Sequence, residues 1–350
     1  MKPPTQTYFF LGANSECGFY SLYDCFCNDT NDLLHIIKGG PGTGKSTFMK
    51  RIGKAAEAHG LDVEYILCSG DPTSLDGVYI PDLHIGWADG TAPHVLEPHQ
   101  FGISAIYENL GRFCKMNELQ EHRAPITALT EAYRQTYQTA YSYLKTAASL
   151  RKASLKQLPT EAHDKLKKRA HSKIKRELST PTPADSKPVK RFIQAISCNG
   201  ISVVSQTLNT LCSRLCVLES NFGLEQIFFR EILKFLIAEQ GHYILCPDPL
   251  CPDFIQAIIL PREHLCFLTS NTPIDFQGTT RTIHLDCYLP KISRSDLSAN
   301  QNLYDQLIDT AVAHLKNAKK LHDDLEQCYR PALQISALNE YTEEVITRIF

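Results

Sequence analysis

The chain has 350 residues, 43% of them hydrophobic, and a formal net charge of −2. That length accommodates two ordinary domains, the composition excludes a disordered chain, and the charge excludes a global field that draws in nucleic acid. No stretch approaches the roughly 18 apolar residues of a membrane span. The opening Met1-Lys2-Pro3-Pro4 leads into no signal-peptide core, so a cytoplasmic protein is expected. The 13 cysteines are odd in number and scattered. The closest pairs, Cys25-x-Cys27, Cys212-x3-Cys216 and Cys246-x4-Cys251, lack zinc-site spacing and read as buried thiols.

Leu33-Leu34-His35-Ile36-Ile37 reads as a buried strand. It leads into Gly39-Gly40-Pro41-Gly42-Thr43-Gly44-Lys45-Ser46-Thr47, which fits G-x-x-x-x-G-K-[ST] without a mismatch. Phe48 to His59 then reads as a helix closed by Gly60. A strand, a glycine loop and a helix N-terminus aim backbone N–H groups and the helix dipole at one point, a pocket for a di- or triphosphate. The glycines let the backbone wrap phosphate. Lys45 is expected to reach the β- and γ-phosphates, Ser46 to ligate Mg²⁺, and Thr47 to lie near the α-phosphate.

Magnesium needs a carboxylate at the end of a neighbouring strand. Asp89, closing His84-Ile85-Gly86-Trp87-Ala88-Asp89, is the choice, with a simple cap of the Asp89-Gly90 turn as the alternative. Asp71 and Asp76 follow the preceding strand, where ligand crevices form in open α/β sheets. Asp71 either orients water or an acceptor hydroxyl, or merely shapes the Asp71-Pro72 turn. His94 is a weaker candidate for the γ-phosphate. Arg51, Arg112, Arg123 and Arg134 are candidate charge-stabilising arginines.

Further on, Ile103, Ile106, Tyr107, Leu110 and Phe113 fall at helical spacing; Pro125 interrupts, and Ile126 to Leu158 runs long and helical. Tyr133, Tyr137 and Tyr141 form one stripe, for packing or for stacking bases. Residues 151–177 hold ten Lys or Arg against three acids, either a solvated helix end or a grip for nucleic acid or another anionic partner. Ser179 to Pro188 reads as a linker.

The chain then repeats itself. Residues 229–241 resemble 48–60; Leu245-Cys246 and Asp248-Pro249 echo Leu67-Cys68 and Asp71-Pro72; Ile255 to Pro273 matches Leu75 to Pro93 without a gap. Upstream, Phe192-Ile193 and Gly200 echo Phe9-Phe10 and Gly18. Carried back to the loop, this register places Ser220 on Gly39, Glu225 on Gly44, Gln226 on Lys45, Ile227 on Ser46 and Thr269 on Asp89. The second loop has lost its lysine and hydroxyl and carries an anion that repels phosphate. It reads as a nucleotide-dead twin, or as a site for a different ligand. Leu303, Leu307, Ala311, Leu315, Ala318, Leu321 and Leu325 make a second helical stripe, and Leu144-Lys145-x-Ala147 resembles Leu315-Lys316-x-Ala318.

The expected fold is therefore α/β, with two P-loop NTPase-like parallel-sheet cores in tandem, each followed by a helical arm. The expected units are a nucleotide-competent core at 1–100, an arm at 101–178, a linker at 179–190, a degenerate core at 191–290 and an arm at 291–350. Through Lys38 to Thr47, Ser74-Leu75-Asp76-Gly77-Val78 and Asp89-Gly90-Thr91-Ala92-Pro93-His94, most of the chain resembles a poorly characterised family of bacterial tandem P-loop ATPases. The resemblance implies ATP binding without fixing a reaction, and implies a phosphate loop in the second core, from which Ser220 to Ile227 departs. The leading expectation is a Mg²⁺-dependent ATPase whose hydrolysis moves the arms. The alternatives are a small-molecule kinase using Asp71 or Asp76, and an ATP-sensing module with little turnover. The absence of Leu-Ser-Gly-Gly-Gln and of Asn-Lys-x-Asp argues against an ABC-type protein and against GTP.

Overall fold

The computed structural model describes residues 3–98, 100–156, 160–178, 188–220, 223–288 and 291–350. The first half runs β1 (Gln6–Phe10), β2 (Gly12–Ser15), β3 (Gly18–Ser21), β4 (Leu33–Lys38), α1 (Lys45–Ala58), β5 (Val63–Leu67), β6 (Leu75–Ile80), β7 (Ile85–Asp89), β8 (Ala105–Asn109), α2 (Met116–Glu121), α3 (Arg123–Lys156) and α4 (Thr160–Glu177). The second runs β9 (Val189–Lys190), β10 (Gln194–Ser197), β11 (Gly200–Val203), α5 (Ser205–Leu211), β12 (Arg214–Glu219), α6 (Glu225–Ala238), β13 (Ile244–Pro247), β14 (Ile255–Leu260), β15 (Leu265–Thr269), β16 (Thr279–His284), α7 (Lys291–Tyr329) and α8 (Ile335–Ile349).

Each half builds one six-stranded sheet and one two-stranded hairpin. The sheet orders are β1-β5-β6-β7-β4-β8 and β9-β13-β14-β15-β12-β16, the same path taken twice. The expected parallel sheets are mixed. β6 is antiparallel to both β5 and β7, and β14 to both β13 and β15. The reason is connection length: only Pro81–Leu83 and His84 separate β6 from β7, far too few for a parallel crossover. Smaller features repeat as well. A bulge falls at Ile66/Leu67 and at Cys246/Pro247, and His84 and His264 take positive φ of 55° and 50° at equivalent turns.

Two other expectations change. The segment at Ile103 to Phe113 is not helical but contains β8, parallel to β4, followed by a 3-10 turn at Leu110–Phe113. Its apolar spacing coincides with a helix, but the pairing with β4 decides the outcome, as it can for short apolar runs. Pro125 lies in the first turn of α3, where its missing N–H costs nothing, so it does not interrupt the helix. Most of the expected linker, 179–187, lies outside the described residues.

The halves meet through their hairpins and first strands. Phe10 and Phe192 exchange both backbone hydrogen bonds at 2.9 Å, so these two residues sit on the local two-fold relation. This makes Phe192 the counterpart of Phe10, one position from the expected pairing of Phe9-Phe10 with Phe192-Ile193. One core runs through both halves and includes Phe9, Phe10, Ile66, Phe192, Leu215 and Ala257. α3 and α7 pack along each other and run antiparallel: Tyr133 meets His322, Tyr143 meets His314, and Tyr304 lies by Arg151. Ala140, Leu144 and Ala147 of α3 and Ile308, Ala311 and Leu315 of α7 close this seam. Tyr137 packs against Tyr133 at 5.0 Å and Tyr141 at 5.7 Å, and Tyr141 Oη donates to Asn14 Oδ1, so the tyrosine stripe packs the arm down. No described helix is long and apolar enough to cross a membrane.

Candidate functional site

The glycine loop fills residues 39–44 between β4 and α1. Gly44 caps the helix at φ 84°, a conformation that side chains with a Cβ rarely adopt. The loop is folded in on itself. Thr43 Oγ1 donates to the Gly40 carbonyl at 2.8 Å, and Lys45 Nζ donates to the Gly39 and Gly40 carbonyls at 3.0 and 2.9 Å. Lys45 Nζ also lies 3.6 Å from Asp89 Oδ2. Pro41 is half-buried and Thr47 exposed.

Asp89 arrives there because β7 pairs in parallel with β4, and the Gly90 N–H donates to the Ile37 carbonyl at 2.9 Å. Its Oδ1 accepts from the Thr91 N–H and hydroxyl at 2.9 and 2.5 Å, leaving Oδ2 for Lys45. The carboxylate therefore both caps its turn and faces the loop. Ser46 Oγ accepts from the Leu75 N–H at 2.9 Å, which ties α1 to the start of β6.

Asp76, the next residue, is re-aimed by the β6 bulge. Its Oδ2 lies 3.1 Å from His94 Nε2, and both side chains are more than nine-tenths buried. Phe19 and Tyr23 flank the imidazole at 4.7 and 4.9 Å. Burial works against a charged His94, but Asp76 and then Asp89 outweigh it and raise its pKa above the usual histidine range. Burial, reinforced by Asp76, pushes the Tyr23 hydroxyl and the Cys68 thiol well up, so both stay neutral.

Asp71 accepts from Thr73, N–H at 3.1 Å and hydroxyl at 2.7 Å, and pairs with Lys319 of α7 at 3.4 Å. Burial tends to raise its pKa; the Thr73 bonds and Lys319 together lower it. Its contacts tie it to the turn and to the arm, not to Lys45, Ser46 or Asp89. The candidate arginines are engaged elsewhere: Arg51 bonds Asn339 and Glu343 of α8, Arg112 stacks on Tyr341, and Arg134 pairs with Glu131 on its own helix. Arg123 is exposed.

The second half shifts the expected register by one. Strand β4 maps on β12 with an offset of 181 (Leu33 to Arg214), but α1 maps on α6 with an offset of 180 (Lys45 to Glu225). The loop there is one residue shorter, 220–224 against 39–44. Hydrogen bonds agree: the Ile255 N–H donates to Gln226 Oε1 at 2.7 Å, as Leu75 does to Ser46. At the helix ends, Leu61 N–H reaches the Ala56 carbonyl and Gly241 N–H the Leu236 carbonyl, so Gln240 takes the place of Gly60. Gln226 thus replaces Ser46, and Glu225 replaces Lys45. Likewise Pro247 pairs with Ile255 where Leu67 pairs with Leu75, so Asp248 stands at the position of Cys68 rather than Asp71. Gln256 replaces Asp76, bonding Gln194 and Thr272, and Thr269 replaces Asp89.

The sequence left one component of the site unread. The C-terminal end of α7 lies on the glycine loop. A Cβ on Gly40 would come within 2.6 Å of the Tyr329 ring, and one on Gly42 within 3.2 Å of Glu326. Only glycine permits that approach. One turn earlier, His322 lies 3.7 Å from Glu326, with its ring 5.7 Å from that of Tyr133. His322, Asp323 and Glu326 form the one group of His, Cys, Asp or Glu side chains spaced for metal binding among the described residues. α8 then packs on α1. In the other half, α4 packs on α6, while Arg151 of α3 reaches Asp248 at 2.6 Å and Glu225 at 3.6 Å. Each arm therefore serves the opposite core. No local motif announces this, because α7 lies some 280 positions along the chain from the loop it covers.

In comparisons with protein-family models, curated proteins and solved structures, none matches this chain.

Proposed function

We propose that the first half is a P-loop core that binds MgATP and hydrolyses it, and that the second half is its nucleotide-free twin. One observation carries the reading: Lys45, at the start of α1, lies 3.6 Å from Asp89 at the end of β7, whereas the second half has Glu225 and Thr269 at these positions. A cation facing a carboxylate beside a helix N-terminus suits a phosphate and its metal. Lys45 would exchange the Gly39 and Gly40 carbonyls for phosphate oxygens. Ser46 Oγ, which accepts one hydrogen bond, and Asp89 Oδ2 would hold Mg²⁺. The metal would neutralise charge developing on the leaving phosphate. This reading includes kinship with the bacterial tandem P-loop ATPases, and the 13 free cysteines accord with a reducing cytoplasm.

A second reading, an ATP-sensing module with little turnover, is favoured by the lysine folded onto its own loop and by the arm that covers it. The test is ATP stoichiometry and ADP release with Mg²⁺, on the wild type and Lys45→Ala. One site per chain, with turnover lost in Lys45→Ala, supports the ATPase. One tight site turning over far below about 1 per second supports the sensor. ADP release that depends on an added acceptor would favour a kinase; two sites, or none, would overturn the reading.

A further inference from the structure

The two arms are equivalent, and the equivalence assigns a residue to the nucleotide. A shift of 171 positions lays Ala140, Leu144 and Ala147 of α3 on Ala311, Leu315 and Ala318 of α7, and all six are at most 1% exposed. The same shift lays Tyr133 on Tyr304 and Arg151 on His322. The surroundings agree: Tyr133 meets His322, and the Arg151 charge acts on Tyr304. Arg151 and His322 are thus the same position, each delivered to the opposite half.

What they meet differs in sign. In the second half Arg151 faces Glu225, the counterpart of Lys45, and closes a buried ion pair. In the first half His322 lies one turn from Lys319, which holds Asp71, and one turn from Glu326, which lies on Gly42, and the charge of Lys45 acts on it. Two nitrogen donors thus stand where the second half has a donor and a carboxylate. The groups around His322 are Lys319, Asp323 and Glu326 on α7, Tyr133 on α3 and Lys45 on α1. An acceptor-rich anion placed between Lys45 and His322 would supply what Glu225 supplies opposite Arg151.

Resting on the nucleotide reading above, we infer that His322 donates to the terminal phosphate of ATP held by Lys45, so that the arm of the second half completes the site of the first. The Arg151–Glu225 pair is the same closed contact made permanent within the chain. His322 is a binding residue, and the γ-phosphate is what distinguishes ATP from ADP at this position.

The test uses the full-length chain with Mg²⁺ and fluorescent ATP and ADP analogues, beside thermal unfolding. In His322→Ala, ATP affinity should fall about tenfold while ADP affinity stays within about twofold. In His322→Glu the new carboxylate should pair with Lys45, weakening both nucleotides without lowering the unfolding midpoint. The double variant Lys45→Glu, His322→Arg rebuilds the pair of the second half and should fold at least as stably as the wild type while binding neither. Equal losses of ATP and ADP in His322→Ala, or wild-type ATP affinity in both His322 variants, would overturn the inference. A wild type that binds no nucleotide would instead overturn the reading on which it rests.

Discussion

Arg151→Ala tests whether the second half is a sealed copy of the first. Arg151 Nη1 lies 2.6 Å from Asp248 Oδ2, and Nη2 lies 3.6 Å from Glu225 Oε1. Glu225 is 2% exposed, Asp248 7%, and Glu225 Oε2 has no hydrogen-bond partner among the described residues. Removing the guanidinium leaves two buried carboxylates without their cation, at a cost of about 3–5 kcal/mol. Total stability is about 5–15 kcal/mol, so the loss is a large share of the whole. Replacing Glu225 by Gln in the same variant removes one of the stranded charges and should recover part of the loss.

The pH dependence follows from Glu225. Burial raises its pKa and Arg151 opposes that rise. A carboxyl whose pKa is raised on folding contributes stability below its unfolded pKa and loses it as pH rises through the folded one. Without Arg151 the opposing pull is gone. Urea unfolding followed by circular dichroism should therefore show a larger loss at about pH 8 than at about pH 5. A loss under about 1 kcal/mol, or one equal at both pH values, would refute the argument.

Gln226→Ala removes the side chain that accepts from the Ile255 N–H and donates to its carbonyl. It should cost about 1–3 kcal/mol and leave ATP affinity unchanged; a large fall in affinity would show a ligand in the second half. On α4, Lys165, Lys168, Arg169 and Arg176 share one exposed stripe, while Lys173, Arg214 and Arg281 converge on Glu177 nearby. If this face grips nucleic acid through those four side chains, log affinity for a duplex should fall against log salt with a slope of about −3 to −4. Affinity that is flat in salt would limit the stripe to a solvated face.

Part of this architecture was legible in the chain because it rests on local pattern. The glycine loop, its strand and its helix need only residues 33 to 60. The repeat could be seen because both halves keep the same turns, down to Pro81 with Pro261 and His84 with His264. Asp89 could be chosen because an acid after an apolar strand is a local signal. Register was harder. A single-residue difference in loop length moved Glu225 and Gln226 by one position, which the bonds to Leu75 and Ile255 and those at the two helix ends reveal. The strand at Ala105–Asn109 was hidden because its apolar spacing fits a helix as well; pairing with β4 decides it.

The chain itself shows that one loop fits G-x-x-x-x-G-K-[ST] and that its duplicate does not. Those properties belong to residues adjacent in the chain. Tertiary structure alone decided that the sheets are mixed, that Asp76 and His94 are buried together, and that Asp71 is held by Lys319. It also decided that each arm crosses to the opposite core. The physical reason is that α3 and α7 bury their apolar seams against each other, so α7 carries Glu326 and Tyr329 to the first half's glycine loop and α3 carries Arg151 to Glu225 and Asp248.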